Sequence, residues 1–251
     1  MQKLILFIII AITAIFVKGQ SSSRATENLQ SKTIVLEHFD KIDSEMVFDV
    51  EVRKSNEEKV MITSNYLRFV EIDVKNNTLQ IDYKRNQPME NVDTKIVIYA
   101  KEVKSVSAGI GSIVKIKDNF DVQKFSTESG GKIFGDSNAK NVVINTKSGG
   151  SVLGTVNTEN LILNTQSGSK IDIQGKIETA KINSQGASKI IATKANISVA
   201  NVTAESSSSV SLSISKELAA SASSMAKIRY KTLSGIKFSA DRSSGGSIDM
   251  L

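Results

Sequence analysis

The sequence predicts an all-β protein: a single-stranded parallel β-helix of about 19 residues per coil, expected to wind right-handed, behind an N-terminal β-meander cap. Three observations predict it. A Ser/Gly-rich corner followed by a β-branched residue recurs from residue 105 onward. The corners return every 18–20 residues, with no helix-forming stretch between them. Inside each repeat apolar and polar residues alternate with the period of a strand.

The elements follow in chain order. Residues 1–19 read as a signal peptide: Lys3, an apolar run from Leu4 to Val17, and a polar break at Lys18-Gly19-Gln20. Fourteen residues are few for a membrane span, which needs roughly 20, and suit a signal core. The mature chain is expected to start at Gln20, with residues 20–30 a flexible leader. Losing Lys3 and Lys18 lowers the formal charge from +6 to +4. Residues 31–104 form the cap. Met46, Phe48, Val50 and Val52 alternate with charged residues, and Asn76-Asn77 between Ile72–Val74 and Leu79–Tyr83 is the chemistry of a tight hairpin turn. A polar loop with Pro88, the only proline, leads to Lys95–Tyr99.

Residues 105–251 are the coils. Four copies read Phe125-Ser-Thr-Glu-Ser-Gly-Gly-Lys-Ile133, Ile144-Asn-Thr-Lys-Ser-Gly-Gly-Ser-Val152, Leu163-Asn-Thr-Gln-Ser-Gly-Ser-Lys-Ile171 and Ile182-Asn-Ser-Gln-Gly-Ala-Ser-Lys-Ile190. The apolar residue after each corner falls at Ile113, Ile133, Val152, Ile171, Ile190, Val210, Ile228 and Ile248. Eight coils at about 4.8 Å each make a prism roughly 38 Å long. Gly130, Gly131, Gly149, Gly150, Gly168 and Gly186 are expected to supply the positive φ and thin profile of the stacked corners.

A meander running into Ile96-Val-Ile-Tyr99 and Ser107-Ala-Gly-Ile-Gly-Ser112, followed by Ser-Gly-Gly-Ser coils, resembles the DUF2807 family, exported proteins of Bacteroidetes and related bacteria described as an auto-transporter adhesin head, or GIN domain. The resemblance spans residues 34–250. It implies a parallel β-helix in the envelope of a Gram-negative bacterium, in the periplasm or on the outer surface, with no established enzymatic activity.

Composition narrows the chemistry independently. With no cysteine, the chain has no disulfide framework, thiolate metal site or cysteine nucleophile. One histidine excludes a histidine-rich metal centre, and 5 % aromatics with no polybasic run argue against nucleic acid as a partner. No cofactor is expected. His38 lies near the first mature strand without a serine or acid arranged for catalysis, and reads as a surface or capping residue.

Equivalent positions on stacked coils sit one strand spacing apart, so columns can be read off the repeat. Asn145, Asn164 and Asn183 form one, suited to an amide ladder or to a polar surface for glycan or protein. Lys132, Lys170, Lys189 and Lys227 lie on a second, either as a basic stripe toward acidic polymers or headgroups, or as a guard against edge aggregation. Lys140, Glu159 and Glu178 form a third. Two carboxylates a rung apart approach the roughly 5–5.5 Å of a retaining glycosidase, but Lys140 with Lys176 or Lys181 would neutralise them, and no aromatic sugar platform accompanies the pair.

The sequence thus predicts a non-catalytic, exported binding module that contacts glycan or protein through its outer faces. A polysaccharide-active enzyme using Glu159 and Glu178, or a purely structural spacer, is the alternative. The last coil ends three residues before Leu251, so its open end is expected to be covered by a second copy, giving a homo-oligomer, or by the N-terminal segment folding back.

Overall fold

A computed structural model describes residues 29–85, 89–232 and 235–251. The expected signal peptide, nearly all of the expected leader, and Pro88 lie outside the described residues. The remainder is a parallel β-solenoid of about eight coils whose strands join into one hydrogen-bonded sheet wrapped around an apolar core.

Each coil presents two flat faces joined by a tight corner. The first, here the amide face, runs from Lys124–Thr127 through Asn141–Thr146 and Thr158–Thr165 to Lys237–Arg242. The second, the lysine face, runs from Lys132–Phe134 through Ser151–Thr155 to Lys227–Lys231 and Ser247–Met250. Between corners the chain rounds a wider bend, so Lys170–Ser184 and Lys189–Ala204 are each a continuous strand contributing to both faces. Alternation puts Ile144, Leu163, Ile182 and Val202 inward on one face, and Ile133, Val152, Ile171 and Ile190 inward on the other, all fully buried.

The corners are β-turns whose two central residues both have positive φ: Ser129 and Gly130, Ser148 and Gly149, Ser167 and Gly168. The Gly131 amide closes its turn on the Glu128 carbonyl at 2.8 Å, and the Gly130 amide reaches the Ser148 carbonyl of the next corner at 3.1 Å. Corners therefore form a backbone ladder of their own. Serine rather than glycine takes the first positive-φ position at most corners. Gly131 and Gly150 do not have positive φ, contrary to expectation. They are glycines because a Cβ there would lie 2.1 Å from the Ala108 carbonyl oxygen or 2.5 Å from Thr127 Oγ1. At the equivalent Ser169 and Ser208 the hydroxyl instead donates to a carbonyl of the preceding coil, at 3.0 and 2.8 Å.

Two expectations need correction. Val114, not Ile113, stands opposite Ile133, so the first step is 19 residues and Ile113 faces outward. The N-terminal region is also not a simple meander. Lys41–Ser44 and Asp49–Lys54 form a true rung, pairing in parallel with Ser105–Ala108 and Ile113–Ile116. On their other side they pair in parallel with Thr78–Tyr83 and Thr94–Ala100. Later residues thus supply the rung before the first one. Among the described residues only Gln30–Val35, Lys59–Ser64 and Val70–Lys75 add antiparallel strands beyond it, and Asn76 and Asn77 make the expected hairpin turn with φ of 51° and 58°.

Gln30–Val35 lies at this end, so the earliest described strand does not fold back over the C-terminus. Among the described residues no strand pairs the outer edges of Lys237–Arg242 and Ser247–Met250, and Phe238, Met250 and Leu251 are exposed there. Arg242 occupies the column of the buried Ala222 and donates from Nη2 to the Ile248 carbonyl at 2.9 Å. An inward charge of this kind blunts an open edge.

Candidate functional site

The amide face is built by repetition. Asn145, Asn164 and Asn183 stand in register, and each amide donates to the one before it at 2.8 Å. Sequence reasoning missed two shorter ladders. Asn160 donates to Asn141 at 2.8 Å and accepts from Thr179 at 2.8 Å, and Asn157 donates to Asn138 at 2.9 Å. Identical amides one strand spacing apart satisfy each other, which turns a polar column into structure. Beside these ladders lies a shallow hollow of about 450 Å³ over Ile162, Thr179, Lys181, Val199 and Asn201. It spans several coils, and the repeat alone did not reveal it.

The lysine column is also in register: Lys132, Ser151, Lys170, Lys189, Ser209, Lys227 and Ser247. Lys170 pairs with Asp172 at 3.1 Å. Lys132, Lys189 and Lys227 are exposed and form no ion pair among the described residues. Two residues further on, Phe134 and Leu153 point outward side by side, Phe134 with 38 % of its surface exposed.

The third column carries ion pairs at both ends. Lys140 meets Glu159 at 3.1 Å, and Glu178 accepts from Ser198 at 3.0 Å and from Lys216 at 3.0 Å. Lys216, rather than Lys176 or Lys181, neutralises Glu178. The Lys216 and Ser198 hydrogen bonds hold that carboxyl below its ordinary range. A glycosidase general acid requires the opposite shift, since it must keep a proton to donate.

His38 sits between two acids, Nδ1 at 3.0 Å from Glu58 and Nε2 at 3.6 Å from Glu102. Its role is to tie the chain entering the first rung to the segments that flank it. The register also gathers an acidic corner that no periodicity announced. Glu45 lies over Gly109, with Asp43, Asp82 and Glu128 around it. Burial, aided by mutual repulsion, raises the Asp43 and Glu45 carboxyls above their ordinary values. Neither this corner nor any other group of three or more acids or histidines among the described residues is arranged to hold a metal ion.

Fold and surface together define a parallel β-solenoid with polar columns repeated along its outer faces. The chain belongs to the DUF2807 family, described as "Putative auto-transporter adhesin, head GIN domain", whose sequence pattern matches residues 38–232. No curated protein matches the sequence. A solved structure named a putative adhesin, from Parabacteroides merdae, is similar with a TM-score of 0.83 at 17 % identity, over 90 % of this chain and 97 % of that one. One from Parabacteroides distasonis, named a putative lipid binding protein, has a TM-score of 0.78 at 19 % identity, over 90 % and 98 %. A putative adhesin from Bacteroides fragilis gives 0.68 at 18 %, over 90 % and 98 %. At these identities the likeness is one of fold. No helix among the described residues is long and apolar enough to cross a membrane.

Proposed function

We infer that this protein is a non-catalytic binding module of the bacterial envelope, exported by its N-terminal segment, that engages glycan or protein through the outer faces of the solenoid. The observation that carries this reading is the persistence of outward columns across coils: side chains repeat at strand spacing over a long flat surface, which suits many weak contacts with an extended partner. Family membership and the names of the structural neighbours support it. The ion-paired Glu159 and Glu178 weigh against the glycosidase alternative.

Asn145, Asn164 and Asn183 on one face, and Lys132, Lys170, Lys189 and Lys227 on the other, are the candidate contact residues. Binding of the purified protein to an envelope glycan and protein panel, scored together with release of sugar product, tests the reading. Replacing the three asparagines by Ala, and separately the four lysines by Gln, is expected to weaken binding on one face and not the other. Product release abolished by Glu159→Gln would replace this reading with the enzymatic one. The open C-terminal end is the proposed site for a second copy. A protein that stays monomeric at high concentration, with rapid amide exchange in Ser247–Met250, would exclude that assembly.

A further inference from the structure

The two faces differ in a way that the candidate columns alone do not express. On the amide face the outward residues include Asp43, Asp73, Asp82, Glu217 and Asp241 set against Lys41, Lys124 and Lys181, and its centre is hydrogen-bonded amide. The lysine face places Lys95, Lys115, Lys132, Lys170, Lys189 and Lys227 outward along adjoining rungs. Lys115 and Lys170 are paired with Asp49 and Asp172, leaving Lys95, Lys132, Lys189 and Lys227 free among the described residues. The same face turns apolar side chains to solvent. Met61, Val97, Phe134, Leu153 and Ile191 lie on one outward column, interrupted by Glu51, Lys115 and Asp172, with Phe134 directly beside Leu153 and Met61 and Phe134 the most exposed.

We propose that the lysine face docks flat on a lipid surface carrying anionic headgroups, leaving the amide face to meet the partner of the binding reading. Three features favour this occupant. Lys132, Lys170, Lys189 and Lys227 recur along one column, Lys170 and Lys189 on adjacent rungs and the others beyond Ser151 and Ser209, a line of positive charge that complements a charged leaflet. Outward Phe134 and Leu153 stand among those lysines, where they can enter the headgroup boundary while the lysine stems lie along it. The face is a regular parallel sheet, and among the described residues Phe134 stacks on no other aromatic ring, so the platform a sugar chain would use is missing there. Docking rests on the envelope location assumed by the binding reading but not on the identity of the glycan or protein partner.

Vesicle sedimentation with the purified chain tests the proposal, using phosphatidylcholine vesicles with and without phosphatidylglycerol. The wild type is expected to sediment with the anionic vesicles only, and to release as salt rises from about 0.01 M to several hundred millimolar. The combined Lys132→Gln, Lys170→Gln, Lys189→Gln and Lys227→Gln protein should bind at least about tenfold more weakly. Phe134→Ser with Leu153→Ser should lose several-fold affinity while keeping the salt dependence. Lys124→Gln with Lys181→Gln, on the amide face, should leave vesicle binding unchanged.

No binding to anionic vesicles, equal binding to neutral ones, or equal losses from the two lysine sets would each overturn docking. Capture of a soluble acidic polysaccharide without vesicle binding would assign the face to that polymer instead. The Asn145, Asn164 and Asn183 variant keeps the two readings apart. Loss of panel binding with vesicle binding intact upholds docking, and loss of vesicle binding in that variant counts against it.

Discussion

The rungs between Lys41 and Ala100 and the coils after Lys124 share a cross-section but are held together differently. In the later coils every rung lies on its own near-copy. A column then repeats one residue type, and the repeat satisfies itself: asparagine donates to asparagine, and corner amides meet corner carbonyls. In the early rungs the neighbours come from distant, dissimilar segments. Large aromatics fill the core there, with Phe48 stacked on Tyr83 at a ring separation of 4.3 Å. The polar columns do not match, so Asp43 stands in register between Gln80 and Ser107, within the field of Asp82 and Glu128. Repetition converts polar surface into bonded structure. Its absence leaves charge uncompensated and shifts the stabilising burden to packing.

The sharpest break in that comparison comes from the packed end. Phe48 is fully buried between a rung and its out-of-order neighbour, so Phe48→Ala should cost about 3–5 kcal/mol. Ile171, buried among similar aliphatic side chains, should cost about 2–4 kcal/mol as Asn, through lost packing and an unsatisfied amide. Denaturant unfolding of both variants checks the order. A larger loss at Ile171 than at Phe48 would mean that the regular coils, not the aromatic end, hold most of the stability.

How far each region could be read from sequence follows from the same difference. Where rungs are copies, the sequence period is the spatial period, and the columns at Asn145, Lys132 and Lys140 came out in register. The phase slipped at Ile113 because its corner, Gly109-Ile110-Gly111-Ser112, lacks the Ser-Gly frame that fixes the others. Lys216 stands two rungs beyond Glu178, where two 19-residue steps also place it, whereas Lys176 and Lys181 are only its neighbours along the chain. The out-of-order rungs left no periodic trace at all. Nothing local tells Thr78–Tyr83 to lie beside Lys41–Ser44, and the acidic corner depends wholly on that pairing.

Next in size is the ladder itself. Asn164→Ala removes one donor and one acceptor, stranding the Asn145 oxygen and an Asn183 amide hydrogen that are both half-buried. The expected loss is about 1–2 kcal/mol, from two hydrogen bonds at roughly 0.5–1.5 kcal/mol each. Ser126→Ala, in the same column but with no side-chain hydrogen bond among the described residues, should cost less. Equal costs from thermal melts of the two would show that ladder bonds add nothing beyond solvation.

The acidic corner predicts a pH signature confined to the irregular end. Asp43 and Glu45 have raised carboxyls in the folded protein, so the folded state holds their protons more tightly than the unfolded chain. Their contribution is therefore most favourable in acid. It is lost as pH rises from the ordinary carboxylate range through the raised folded values. Asp43→Asn keeps an oxygen for Ser107 and removes the titrating charge. Its melting temperature should gain on the wild type as pH rises from about 4 to 7. A difference that stays constant across that range would remove the burial argument.

The smallest effect lies in the column that both regions share. Corner residues Asp82, Glu45, Gly109 and Glu128 continue in register into Lys147, Gln166 and Gln185. Gln166 is exposed at its corner, and its side chain makes no hydrogen bond among the described residues, so its amide can be exchanged without stranding a partner. Gln166→Lys adds one exposed charge a rung from Lys147, which solvent screens, and stability should change by less than about 0.5 kcal/mol. Glu128→Lys, two rungs back, places an ammonium beside Asp43 and Glu45, whose carboxyls burial raises first and the Glu128 charge raises further, and so removes that added repulsion. It should stabilise the protein near neutral pH, and the gain should shrink as acid protonates the corner. Matched melts of the two variants at pH 4 and 7 separate the regions directly, since only the Glu128 change should depend on pH. A pH-dependent response at Gln166 would mean that uncompensated charge extends into the regular coils, and the contrast between the two ends would fail.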